Sequence, residues 1–262
     1  METTPPSPLV LHQAKAGVVT LTLNRPAQMN LLTHEMLAAL QGALEAIAQD
    51  DAARVIVIAA RGEGFCAGHD LKEIQTLHDA PSIARLFAAC SHLMQTLTRL
   101  PQPVIARVHG MAAAAGCQLV AQCDLAIASD TARFSTPGVR WGFFCATPAV
   151  PLSRTLQRKR ALEMLLSGDV IDAATAQSWG LINQVVPVDQ LDVAINLLAQ
   201  KIAAQPRASV ASGKRAFYQQ LDLDVPAAYA LASEVISASF AHPEGREGMA
   251  AFLEKRPPNW SA

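Results

Sequence analysis

Val55–Ala60 reads VIVIAA, six consecutive residues without a polar side chain. A strand with one wet face alternates apolar and polar residues, so an unbroken apolar run of strand length is buried on both faces, as in parallel sheets covered by helices. Val18–Leu23 (VVTLTL) also reads as a strand, ended by Asn24-Arg25-Pro26, and Val104–Val108 (VIARV) and Leu125–Ala128 supply two more. Helical patterns lie between them. One starts at Thr33, a side chain suited to an N-cap, and sets Met36, Leu37, Leu40, Leu44 and Ile47 at three- and four-residue spacing up to about Ala48. A second covers Ser82–Arg99, and a small-residue helix follows HGMAAAAG through about Gln122. This alternation predicts an α/β fold with parallel strands between helical layers.

From about Leu152 the pattern is mostly helical: Leu156–Ser167, Ala173–Trp179, Leu191–Ala204, Val225–Phe240 and Gly245–Lys255. The expected division is an α/β core over residues 1–200 and a helical C-terminal subdomain over 201–262, with a Pro-rich opening of eight residues. Charged residues make up only 16% of the chain, against about 25% in typical soluble domains, so surface is expected to be hidden beyond the monomer's own core. A net charge of −1 argues against nucleic acid, whose binding rests on Lys and Arg neutralising phosphates. The longest small-apolar stretch, Met111–Ala121, is too short to span a membrane and contains Gln118. METTPPSPLV has neither the charge and apolar pattern of a signal peptide nor that of a transit peptide, so a cytoplasmic protein is expected. The five cysteines, Cys66, Cys90, Cys117, Cys123 and Cys145, form no CxxC, which predicts reduced thiols and neither a disulfide framework nor a zinc site.

Gly62-Glu63-Gly64-Phe65-Cys66-Ala67 matches GxGxxG/A after a strand, but not after the first one, and the acidic residue a dinucleotide fold needs about 20 positions later is missing. GxSxG, HExxH and GxxxxGK[ST] are absent. The informative pair is FCAGHDL at Phe65–Leu71 and HGMAAAAGCQL at His109–Leu119, each a small-residue turn after a strand. Such turns either permit close helix packing or bring backbone N–H groups to a ligand, where two of them would stabilise an oxyanion.

The chain resembles the crotonase, or enoyl-CoA hydratase/isomerase, superfamily nearly end to end. The resemblance is carried by NRPAQMN, VIVIAARGEGFCAGHDLKEI, PVIARVHGMAAAAGCQLVAQCD, FSTPGVRWGFF and AFLEKRPPNW. It implies a crotonase-like spiral of ββα units with a helical C-terminal trimerisation region, assembled as a homo-trimer or a dimer of trimers. The implied ligand is an acyl-CoA thioester, with no cofactor beyond the CoA moiety of the substrate. The implied oxyanion donors are the backbone N–H groups of His69 and Ala115. On the CoA side the motifs place Ala67, Gly68, Asp70, Lys72 and Gly116, with Phe252 and Lys255 at the nucleotide end. Asp70 also reads as a helix cap, and Lys255 as a solvated helix-end lysine.

Two positions depart from the pattern. Where typical hydratases of this family carry two glutamates, this chain has Gln118 and Gly138, neither of which can transfer a proton. Cys145 stands where the family usually has proline and is a candidate for the acyl pocket, either reactive or an inert buried thiol. His69 is a candidate base, and Arg140 and Trp141 lie near the acyl tail, with core packing of Trp141 the alternative. Hydration is therefore doubtful. Decarboxylation, thioester hydrolysis or a catalytically silent acyl-CoA-binding role gain weight.

Overall fold

The computed structural model describes residues 7–260; the first six residues of the Pro-rich opening lie outside them. The strands are β1 (Val10–Lys15), β2 (Val18–Leu23), β3 (Val55–Ala60), β4 (Val104–Val108), β5 (Met111–Ala113), β6 (Leu125–Ser129), β7 (Arg133–Ser135), β8 (Ile171–Asp172) and β9 (Gln184–Val186). The helices are α1 (His34–Ala48), α2 (Leu71–Thr76), α3 (Ala80–Arg99), α4 (Ala115–Gln122), α5 (Ala146–Thr155), α6 (Arg158–Ser167), α7 (Ala173–Trp179), α8 (Leu191–Ala203), α9 (Arg207–Gln220), α10 (Val225–Ala241) and α11 (Pro243–Glu254).

The main sheet has the order β1-β2-β3-β4-β6-β9, parallel except for the antiparallel β1–β2 edge. Successive side chains alternate between its two buried faces, which explains VIVIAA. Ile56 and Ile58 join Leu21, Leu23, Val104 and Ala106 beneath α1, α3 and α4. Val55 and Val57 join Val18, Ile105 and Ile127 beneath Leu191, Ile195 and Ala199 of α8. The apolar stripe of α1 is the expected one, and the Thr33 hydroxyl accepts the Met36 N–H at 3.1 Å. A smaller sheet, β5-β7-β8, stands beyond the end of β4.

Two expectations need correction. The helix expected from Leu156 begins at Arg158, because Leu156 instead ends α5, a helix that its internal Pro148 and Pro151 hid. Helix α9 is absent from the sequence pattern, since its single buried residue is Lys214 and no apolar stripe marks it.

Candidate active site

The two small-residue turns touch. Phe65 and Cys66 N–H both donate to the Met111 carbonyl, at 2.9 and 3.1 Å, and Ala113 N–H donates to the Cys66 carbonyl at 2.9 Å. Side chains have no room here. A β-carbon on Gly68 (φ +95°) would lie 2.9 Å from Ala114 Cβ, and one on Gly116 would lie 2.0 Å from the Cys66 carbonyl oxygen. Ala114 itself adopts φ 49°, ψ −118°, a region L-residues avoid at a cost of about 1–3 kcal/mol. It is held there by Ala114 N–H donating to Ser135 O at 2.9 Å and by its carbonyl accepting Gln118 N–H at 3.0 Å.

That strained turn makes Ala115 the first residue of α4, where a backbone N–H has no intrahelical acceptor. Among the described residues, neither the Ala115 N–H nor the His69 N–H donates to a protein group. The first turn is braced from Asn24–Asn30. Ala67 N–H donates to Met29 O, Leu32 N–H to Gly68 O, and the buried Asn30 amide donates to the Arg61 and Gly64 carbonyls while accepting Arg25 N–H. Asp70 caps α2 by accepting Lys72 N–H at 2.8 Å, so its carboxylate is engaged structurally.

His69 Nδ1 lies 3.0 Å from the Leu32 carbonyl, which can only accept, so Nδ1 carries the proton. Nε2 is buried without a partner, and the ring meets Phe87 edge-on at 5.0 Å. His109 mirrors it: Nε2–H donates to Gly62 O at 2.8 Å and Nδ1 is buried and bare. Burial holds both imidazoles below their ordinary value of 6.5, outweighing the hydrogen bonds that oppose it. The unfolded chain therefore binds more protons than the folded one as pH falls through and below 6.5, and stability is lost there. A pH series of thermal melts is expected to show Tm falling on acidification below 6.5, with His109→Gln flattening part of the slope; a parallel slope would contradict it.

On α4, Gln118 is 3% exposed and its Oε1 has no partner. It shares a helix face with Ala115, three residues back. Gly138 sits in a 3₁₀ turn over Pro137–Trp141 and is buried. Cys145 is buried against it, and burial raises its thiol pKa despite the Gly138 N–H directed at the sulfur. Burial likewise pushes Cys66 and Cys117 up to about 12 and raises Cys123, so these are neutral core thiols.

The enoyl-CoA hydratase/isomerase family profile matches residues 13–262. The chain belongs to this family. It is 44% identical over 245 residues to mouse enoyl-CoA hydratase domain-containing protein 3, mitochondrial, covering 94% of this chain and 82% of that protein. A crystal structure titled enoyl-CoA hydratase from Mycobacterium smegmatis superposes with a TM-score of 0.96 at 49% identity, covering 98% of this chain and all of that one. The human enoyl coenzyme A hydratase domain-containing protein 3 gives 0.94 at 42% identity, over 96% and 100%. The fold is the crotonase fold that the motifs implied. The cytoplasmic expectation is overturned: the mouse, Xenopus laevis and human relatives are all named mitochondrial.

Within this crotonase frame, the structure brings His69, Ala115, Gly116, Gln118, Gly138 and Cys145 into four adjoining segments, with Ala67, Gly68 and the exposed Lys72 on the first. Phe252, 83% exposed, and Lys255, the left-handed C-cap of α11, lie on the C-terminal helices. Among the described residues, neither has a hydrogen bond or ion pair to the other site segments. Trp141 is 70% exposed, which excludes core packing, and Arg140 pairs with Asp169. Two bracing residues were missed by sequence reasoning: Asn30, and Glu73, whose carboxylate accepts His34 N–H at 3.1 Å at the start of α1. Both lie inside motifs that carry the resemblance, NRPAQMN and VIVIAARGEGFCAGHDLKEI, but neither motif shows which backbone groups the side chain meets.

Proposed function

We propose that the chain binds an acyl-CoA thioester and stabilises the enolate of its carbonyl between the backbone N–H groups of His69 and Ala115. The observation that carries this is the pair of contacting turns whose two N–H groups take no acceptor from the protein, one of them at the start of α4, where the helix dipole favours negative charge. Each such donor is worth about 10²–10³ in rate. Lys72 supports the CoA side as an exposed cation beside the first turn, and Phe252 and Lys255 are the candidates for the nucleotide end. CoA itself is the one carrier group the reading requires.

Hydration fits poorly. Proton transfer contributes about 10²–10⁴ per positioned group, and Gln118 and Gly138 supply none. Hydration of short- and medium-chain enoyl-CoAs is thus expected several orders of magnitude below that of a two-carboxylate enzyme, with CoA binding detectable by calorimetry. Decarboxylation and thioester hydrolysis, which need little proton transfer from these two positions, belong in the same assay panel. A catalytically silent acyl-CoA binder is the second reading, favoured by the same two positions. Ordinary hydration rates, insensitive to changes at Gln118, Cys145 or His69, would refute the site; absence of CoA binding would refute both readings.

A homo-trimer, or a dimer of trimers, is the assembly we infer. Helix α10 buries none of its residues within the chain although it is apolar, leaving Tyr229, Ile236 and Phe240 exposed, and Phe252 and Leu253 of α11 are exposed as well. Large apolar surface of this kind supports an interface between subunits.

A further inference from the structure

The face of the main sheet beneath α8 changes character at one level across three strands. On β2 the buried Val18 gives way to Thr20 and Thr22, on β3 Val55 and Val57 give way to Ala59, and on β4 Ile105 gives way to Arg107. The large apolar residues lie under Leu191, Ile195 and Ala199 of α8, whereas the small and polar ones line an open cleft of about 760 Å³ between α8 and β1. That volume falls in the range of small-molecule sites, about 300–1,000 Å³. Thr22 pairs with Ala59, and the Ile58–Ala106 pairing sets Ala59 beside Arg107, so the three form one row. Strands stand about 4.8 Å apart, which puts the Thr22 and Arg107 backbones about 10 Å apart with only the Ala59 methyl between them. The Arg107 side chain is 21% exposed, and its Nε–H donates to Asp192 Oδ1 at 2.6 Å. Among the described residues, its two Nη groups have no acceptor, the Thr20 and Thr22 hydroxyls have no partner, and Lys15, also in the lining, has no counter-ion. Lys15 and Arg107 against Asp192 leave the lining with a charge of +1.

We propose that this cleft is a second ligand site, which takes a phosphate monoester with a hydroxyl-rich body. The phosphate sits over Ala59, where the open end of the Arg107 guanidinium grips two of its oxygens and the Thr22 hydroxyl donates to a third. A tetrahedral group offers acceptors in both directions at once, whereas the fork takes both oxygens of a planar carboxylate. The Thr20 hydroxyl and the amides of Gln13 and Asn196 line the rest of the cleft, over a floor of Val57 and Ile195, and match a body of hydroxyl groups. The site is separate from the oxyanion turns, whose Cys66 and Ala115 pack into the core on the opposite face of the sheet, so it does not depend on the thioester reading.

The test is calorimetric titration of the full chain with ribose 5-phosphate, ribose and gluconate, the last a carboxylate on a similar body. Ribose 5-phosphate is expected to bind, and the other two about tenfold more weakly or not at all. Thr22→Val removes the hydroxyl and keeps the shape, and Arg107→Gln removes the fork; each is expected to weaken ribose 5-phosphate by about tenfold or more. Ala59→Val fills the seat of the phosphate and is expected to abolish binding. Thermal melts of Thr22→Val and Ala59→Val, close to that of wild type, show that the fold is kept. The titrations are repeated at saturating CoA, where the affinity for ribose 5-phosphate is expected to hold. Absence of ribose 5-phosphate binding, or ribose or gluconate binding as tightly, overturns the proposal. So does displacement by CoA, which puts the phosphate in the thioester site, or an unchanged affinity in folded Thr22→Val and Ala59→Val. Failure of CoA itself to bind overturns the thioester reading alone, and the variants still decide this one.

Discussion

Replacing Gly116 by alanine is expected to lower Tm by about 6–12 °C and to abolish thioester binding. The added methyl would stand 2.0 Å from the Cys66 carbonyl oxygen and 2.7 Å from its carbon, so backbone must move against backbone. Overpacking of a tight interior costs about 1–3 kcal/mol, and a contact this short belongs at the upper end, where each kcal/mol shifts Tm of a chain this size by about 2–4 °C. The displaced group is the turn that ends in Gly68 and His69, so the two N–H groups no longer converge. Gly42 is the matched control: it is exposed on α1 with no heavy atom within 4 Å of a built β-carbon, and Gly42→Ala is expected to hold or raise Tm. Parallel melts and CoA titrations of the two variants check this, and a Gly116→Ala protein that melts with wild type would show the turns are looser than described.

What could be read in the sequence follows from which residues bury apolar faces. Helix α1, its Thr33 cap and strands β2, β3 and β4 matched because α1 carries a full helical stripe, β2 alternates, and β3 and β4 are nearly unbroken apolar runs of strand length. Strand β1 escaped because four of its six residues are exposed at a sheet edge, and β5 and β7 because three residues carry no period. The two turns were visible through their glycines and alanines, yet nothing local announced that the 143–145 segment closes over Gly138. That contact joins residues whose proximity depends on the 3₁₀ turn between them, which a side-chain pattern does not encode. The low charge is likewise clarified in part: α10 and α11 leave Tyr229, Ile236, Phe240, Phe252 and Leu253 exposed, where a lone chain would be expected to carry polar side chains.

Those C-terminal helices are tied to the core by a buried ion pair at Lys214, and Lys214→Met is expected to cost about 3–5 kcal/mol, or about 6–20 °C in Tm. Lys214 Nζ lies 2.6 Å from Asp124 Oδ2, with side-chain exposures of 6% and 14%, and also donates to the carbonyls of Leu97 and Gln102 at 2.8 and 2.9 Å. Tyr218 O–H donates to Asp124 Oδ1 at 2.7 Å, and Val104 N–H to Oδ2 at 2.6 Å. Burial lowers the Lys214 pKa, and the Asp124 carboxylate opposes that shift. Methionine keeps the stem's packing but leaves a buried carboxylate without its cation and two carbonyls without a donor, so the loss is electrostatic and not a cavity effect. Tyr218→Phe removes one charge-assisted hydrogen bond and is expected to cost about half as much. Since α10 packs on α9 and Glu244 of α11 accepts the N–H groups of Ala208 and Ser209, releasing α9 releases Phe252 and Lys255 with it. Limited proteolysis should then cut Lys214→Met between α8 and α9 under conditions where wild type stays whole. A variant that melts within about 2 °C of wild type and resists the protease would show that apolar contact, and not this buried pair, holds the C-terminal helices to the core.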